Sequence, residues 1–162
     1  MTWRVVRAIL ALPFMATVVI PAVILGDGGG SSWDLPGGAR AVTAVLGAAL
    51  ITAGLGLFVA TVRLFATEGG GTLAPWDPPR RLVVRGPYRC LRHPMITGVS
   101  LTLAGEALIF ASTGIAIELG CFVAVNLIYL PLVEEPALVH RFGADYERYM
   151  DEVGRWLPRL PR

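Results

Sequence analysis

Apolar residues run along this chain in four long stretches, each closed by a polar or glycine-rich interval. The first covers about Val5–Leu25, "VVRAILALPFMATVVIPAVIL". A hydrocarbon core about 30 Å thick needs roughly 20 apolar residues of helix, so this run suffices to cross it. Pro13 and Pro21 mark bends of a kind that membrane helices tolerate. The run exceeds the core of a signal peptide, about 7–15 residues, and no small-x-small cleavage site follows, so a retained anchor is expected. "GDGGGSSWDLPGG" is a turn-rich connection. A second helix is predicted from about Ala39 to Ala66, where Gly47, Gly54 and Gly56 are small residues suited to close helix packing. A third runs from Pro94 to about Thr113 and a fourth from about Ile115 to Val133, with "STG" as the tight turn between them.

Charge gives these segments a direction. Arg4 and Arg7 precede the first helix, five Arg lie in the 67–93 loop, and five more follow from Arg141 on. The 26–38 loop and the 112–114 turn have none. Positive residues mark the cytoplasmic side, which predicts four spans with both termini cytoplasmic. Lengths add a further constraint. His93 stands roughly 20 residues before the turn and Glu134 roughly 20 after it, so each arm is about 30 Å long. The basic stretch at 85–93 and the acidic pair Glu134–Glu135 should therefore return to one interface.

Beyond Glu135 the pattern turns amphipathic. Leu138, Phe142, Tyr146, Tyr149, Val153 and Trp156 recur at spacings of three or four and form one apolar stripe. His140, Arg141, Glu147, Arg148, Asp151 and Glu152 face elsewhere, and His140 reads as solvated. Gly143 should interrupt the helix, with Asp145 in the first turn of the next piece. Such a helix lies on a membrane surface and can also form a wall of a site.

Composition agrees with the pattern. The 162 residues are 54% hydrophobic and 16% charged, with a mean hydropathy of +0.62, too apolar for an ordinary soluble domain of this size. The expected fold is an all-α membrane protein with about four transmembrane helices and a C-terminal amphipathic interfacial helix. It forms one domain, 1–162, with two N-terminal helices in 1–66 and the loop, hairpin and C-terminal helix in 67–162. All fourteen basic residues are Arg, which reads as the codon bias of a GC-rich genome and fits a bacterial-type inner membrane. Cys90 and Cys121 match no metal or redox spacing. Two histidines are too few for a histidine-rich metal site, and no metal or nucleic acid is expected as a partner.

The loop before the third helix carries the candidate chemistry. "ATEGGGTLAPWDPPRRLVVRGPYR" is long for a helix connection, and such loops are often functional. Gly69–Gly71 permit close backbone approach. Arg85, Arg89 and Arg92 suit bidentate binding of carboxylate or phosphate. Tyr88 offers a ring and a hydroxyl, and Glu134 and Glu135 can accept from paired hydroxyls such as those of a ribose. Arg80 and Arg81 read more simply as headgroup-binding anchors, and Trp3, Trp33 and Trp76 as belt residues. Two acids at a helix C-terminus oppose the macrodipole, which argues for another role at 134–135. Glu106, mid-helix, is expected to be protonated or hydrogen-bonded within the bundle, and Asn126 is similar.

"LVVRGPYRCLRHPMITG" followed by "EEPALVHRFGADYERYMDEVGRWLP" resembles the C-terminal region of the isoprenylcysteine carboxyl methyltransferase and phospholipid methyltransferase family. Gly86, Tyr88, Arg92, His93, Pro94 and Gly98 match the first motif. Glu134, Glu135, Leu138, Phe142, Gly143, Tyr146, Tyr149 and Pro158 match the second. The resemblance spans Leu82 to Pro158, and the first two helices match only in kind. It implies an integral membrane enzyme that uses S-adenosyl-L-methionine at the cytosolic interface and methylates a hydrophobic or lipid-like acceptor. Carried over, it implies His93 and Arg92 as catalytic residues, and Tyr88, Arg89, His93, Pro94, Gly98, Glu134 and Glu135 as cofactor-binding residues. Ile96 departs from the pattern, which has an aromatic there. Acceptor entry is expected between helices near Met95, Ile96 and the fourth span. Two rival functions fit parts of the sequence: a membrane reductase using NADPH, and a non-enzymatic membrane adaptor, which would explain the helices but not the paired motifs.

Overall fold

A computed structural model describes residues 12–28, 32–64, 67 and 82–156 of the chain. The expectations on Trp3, Arg4, Arg7, Gly69–Gly71, Trp76, Arg80, Arg81 and Pro158, and on the start of the first helix, lie outside them. The protein is all-helical, and no strand occurs among the described residues. Helix α1 spans Met15–Gly26, opening with a π turn over Met15–Val19. Then come α2 (Gly37–Leu64), a 3₁₀ turn (Gly86–Arg89), α3 (Pro94–Phe110) and α4 (Thr113–Tyr129). A π turn over Leu130–Glu134 carries α4 without a break into α5 (Glu135–Phe142), and α6 is Ala144–Glu152. Pro131 lies in that π turn and Pro136 just after it; neither ring has an N–H to give the helical ladder, and the hydrogen-bond register shifts there.

Two helices, Gly37–Leu64 and Thr113–Phe142, contain stretches long and apolar enough to cross a membrane. α1 and α3 are apolar but shorter. At 17 residues α3 is about 25 Å long, and it stops before the expected Thr113 because Ala111 takes a left-handed conformation. Ser112 then caps α4, its Oγ accepting from Ile115 N at 3.3 Å. The outer faces are strongly apolar: Val45 is 70% exposed, and Val125 and Ile128 are each 63%. Unpaired apolar surface of this extent suits lipid rather than water.

Helices α2 and α3 run antiparallel with their backbones in close contact. A Cβ on Gly47 would lie 2.6 Å from Gly105 O, and one on Gly54 2.6 Å from Gly98 O. The same holds in reverse, at 2.5 Å from Gly105 to Gly47 O and 2.9 Å from Gly98 to Gly54 O. This is the small-residue packing expected of Gly47 and Gly54. Gly56 does not share it, because nothing among the described residues stands within 4 Å of its Cβ position. Val99, Leu103, Ala107 and Ile115 form the core between α3 and α4, and Ala16 and Ile24 of α1 pack on it. In α3, Glu106 Oε2 finds no hydrogen-bond partner among the described residues, whereas Asn126 Nδ2 donates to Phe122 O at 2.8 Å.

The two ends of the bundle differ. At one, Trp33 N donates to Ala111 O at 2.8 Å and Trp33 Nε1 donates to Thr113 Oγ1 at 3.1 Å. The Arg-free loop and the Arg-free turn therefore meet. At the other end the 3₁₀ turn, α5 and α6 assemble beside the start of α3. The amphipathic stripe is as expected: Tyr146, Tyr149 and Val153 are buried, with Leu82, Leu138 and Phe142 packed against them. His140, Arg141, Glu147, Arg148, Asp151 and Glu152 are all exposed. Gly143, at φ +56°, separates α5 from α6.

Candidate functional site

The site forms where three pieces of chain meet at the Arg-rich end. The first is the 3₁₀ turn and the Leu91–His93 segment. Gly86 at φ +54° turns the chain into the 3₁₀ turn, a conformation that favours glycine. Pro94 then opens α3 as a buried residue at its N1 position, where a missing N–H costs nothing. That fixes His93 immediately before the helix. The second piece is Glu134–Glu135 at the end of the π turn. The third is the tail after α6, where Val153 becomes extended. Arg92 N donates to Gly154 O at 3.0 Å and Arg92 Nε to Val153 O at 2.9 Å. Tyr149 OH donates to Tyr88 O at 2.8 Å. The tail and α6 are thereby tied to the turn.

Glu135 lies at the centre, its side chain only 6% exposed. Its Oε1 accepts from Arg92 Nη1 at 2.8 Å and from Arg155 Nε at 2.9 Å, and its Oε2 accepts from Arg155 Nη2. His93 Nε2 stands 3.4 Å from the same Oε1, and His93 Nδ1 stands 3.5 Å from Glu134 Oε1. The meeting of the two motifs, expected from helix lengths, is thus observed across 42 residues of sequence.

These contacts set the ionisation of the cluster. Burial disfavours charge on Glu135, but hydrogen bonds from His93 and Arg155 and the charges of Arg92 and Arg155 outweigh it and lower its carboxyl from 4.5 to about 2. Burial also opposes charge on His93, yet the two carboxylates on its two ring nitrogens raise it above its ordinary value and favour the imidazolium. Tyr88 is pushed well above its usual range by burial, then by Tyr149 and Glu134. Tyr146 and Tyr149 are raised chiefly by burial. All three phenols stay neutral.

The expected site residues divide into groups. Tyr88, Arg92, His93, Pro94, Glu134 and Glu135 come together. Glu135, however, spends both oxygens on protein donors, while Glu134 keeps 37% of its side chain exposed. Arg89 is exposed and makes no ion pair among the described residues. Gly98 is not at the site. A Cβ there would meet Gly54 O at 2.9 Å and Phe58 N at 3.3 Å, so its lack of a side chain serves the α2–α3 contact. Ile96 is half-buried. Nothing in the sequence distinguishes Arg155 from the exposed Arg148. An apolar cavity of about 190 Å³ lies deeper, between Phe14 just before α1, Val18 of α1, Leu55 and Phe58 of α2, and Val99 and Thr102 of α3.

Comparison with known proteins places the chain in a family. A family model described as phospholipid methyltransferase matches residues 42–145, which takes in most of α2, the turn, α3, α4 and α5. The match extends further toward the N-terminus than the two motifs and stops before Tyr146 and Arg155. No curated protein matches the chain. With well over half of its residues matched, from the helix packed on α3 to the acidic pair beside His93, the chain belongs to the phospholipid methyltransferase family, a family of membrane methyltransferases.

Proposed function

We propose that this protein transfers a methyl group from S-adenosyl-L-methionine to a hydrophobic or lipid-like acceptor at the cytosolic membrane interface. In this reading residues 1–162 form one domain that crosses the bilayer four times, with both termini cytoplasmic and α5–α6 at the interface. The observation that carries it is the meeting of His93 with Glu134 and Glu135 at the Arg-rich end, in a chain of this family.

The residues present fit the cofactor. Arg89, exposed and cationic, suits an amino-acid carboxylate. Glu134, half-exposed, suits a pair of hydroxyls. Tyr88 contributes a ring beside them. When bound, S-adenosyl-L-methionine supplies an electrophilic methyl on a sulfonium, for in-line attack by the acceptor. The chain's own part is positioning. Glu135 and Arg92 hold His93 against Glu134, and the docked tail limits water at the buried half of the cluster. None of Tyr88, Tyr146 and Tyr149 is placed by its ionisation to act as a base, which favours alignment over proton abstraction. The apolar cavity lies about 9 Å along α3 from His93, judged from the rise between His93 and Val99, and offers room for an alkyl body.

Calorimetric titration of the detergent-solubilised protein with S-adenosylhomocysteine tests the reading. Wild-type protein should bind. Glu134→Gln should weaken binding about ten- to hundredfold, as for loss of one charge-assisted hydrogen bond. No binding in several detergents and in lipid, or stabilisation by NADPH instead, would overturn it.

A further inference from the structure

Arg155 is not among the residues that match either motif, and it lies outside the residues that the family match covers. Its guanidinium nonetheless makes a two-pronged contact with Glu135, the most heavily used side chain of the site. This geometry is the fork-to-fork pairing that orients a carboxylate as well as neutralising it. Its consequences differ for the two oxygens. Oε2 is taken by Arg155. Oε1 is left to face Arg92 and His93, sharing only Nε of Arg155. A carboxylate pinned this way cannot rotate toward a ligand, and it presents a fixed acceptor to the His93 ring.

We propose that Arg155 is a positioning residue of the methyl-transfer site: by holding Glu135 it fixes the orientation and charge of His93 and leaves Glu134 as the carboxylate that meets the ligand. This rests on reading the cluster as that site. The route is long for the chain and short in space. Val153 leaves α6 in an extended conformation, its carbonyl is held by Arg92 Nε, and Arg155 two residues on reaches back to Glu135. Docking of the tail is therefore coupled to the state of His93. A tail contact that was merely structural would share the tie of Tyr149 to Tyr88 but would not act on His93.

The groups acting directly on His93 are Glu134 and Glu135 from the π turn and α5; Arg92 from its own segment and Arg155 from the tail reach it through Glu135, and the neutral Tyr88, Tyr146 and Tyr149 stand around those charges. Among the charged ones, Arg155 is the cation whose removal leaves the backbone around His93 untouched. Taking it away makes Glu135 a stronger partner for the imidazolium, so the His93 midpoint should rise.

The chain has only two histidines, and substitution of the exposed His140 leaves one imidazole signal. NMR titration of ring-labelled His140→Asn protein in detergent micelles then reads His93 directly. On this background Arg155→Gln should raise the midpoint by about one pH unit, as for loss of a nearby unit charge. Tyr149→Phe, which frees the tail from Tyr88, should move it less than half as far. If Arg155→Gln does not yield folded protein, Arg155→Lys, which keeps the charge but loses the fork, should move it the same way by less. A midpoint unmoved in the Arg155 variants, or moved as far by Tyr149→Phe, overturns the proposal. The titration needs neither cofactor nor acceptor, so its failure would leave the methyltransferase reading intact, and absence of S-adenosylhomocysteine binding would not affect the titration.

Discussion

Glu135→Gln is the most informative single perturbation of stability. The glutamine keeps the shape and one acceptor oxygen but presents an NH₂ where a guanidinium now donates. Three charge-assisted bonds are at risk, one from Arg92 at 2.8 Å and two from the fork of Arg155. Each such bond contributes about 1.5–3 kcal/mol. Arg155 is 34% exposed, so water screens its share, while Arg92 at 13% is left as a largely buried, unpaired cation. A loss of about 3 kcal/mol is expected, at the low end for breaking a buried ion pair. For a chain of this size that lowers Tm by about 6–12 °C. The pH dependence sharpens the test. Because the folded carboxyl titrates at about 2 instead of 4.5, its stabilisation is complete above 4.5 and disappears as pH falls toward 2. Thermal unfolding of both proteins in detergent, followed by circular dichroism, should show a full gap near neutrality that closes through the acid range. Equal Tm values near neutrality, or a gap that persists unchanged at the acid end, would refute the reasoning.

Three other outcomes are expected. Gly54→Ala puts a methyl 2.6 Å from a carbonyl oxygen of α3 and should destabilise by about 1–3 kcal/mol, whereas Gly56→Ala meets nothing and should be neutral or slightly stabilising in the same melts. Cys90 should react with a membrane-impermeant thiol reagent only from the cytoplasmic side; Cys121, on the outer face of α4, should be shielded by the bilayer and yield only to a lipid-soluble reagent, and labelling of Cys90 in intact cells would reverse the orientation. Ile96→Tyr restores the aromatic of the family pattern and should change acceptor turnover in a methyl-transfer assay more than it changes S-adenosylhomocysteine affinity.

What was legible in the sequence was local or set by lengths. The apolar runs, the stripe from Leu138 to Trp156 and the break at Gly143 depend on the 3.6-residue period, which acts wherever a helix has a wet side and a dry side. The meeting of His93 with the acidic pair depends on rise per residue, which a hairpin of equal arms converts into proximity. The motifs around His93 and Glu135 named the family because they stand in order at that spacing.

The face that each residue presents to another helix was decided only by tertiary structure. Gly54 and Gly56 are two residues apart, about 200° around the helix, so one meets α3 and the other meets nothing. Gly98 matches a motif that surrounds the site, yet its close neighbour is the backbone of α2. Arg155 and Arg148 are both arginines near the end of an amphipathic helix. One reaches only the first turn of its own helix, at Ala144 O and the exposed Asp145, and the other becomes part of the site because the chain leaves the helix at Val153 and turns back toward Arg92. Local pattern records whether a side chain is apolar or charged. It carries no record of a partner contributed by a distant segment, and the ion pairs around Glu135 are fixed by such partners.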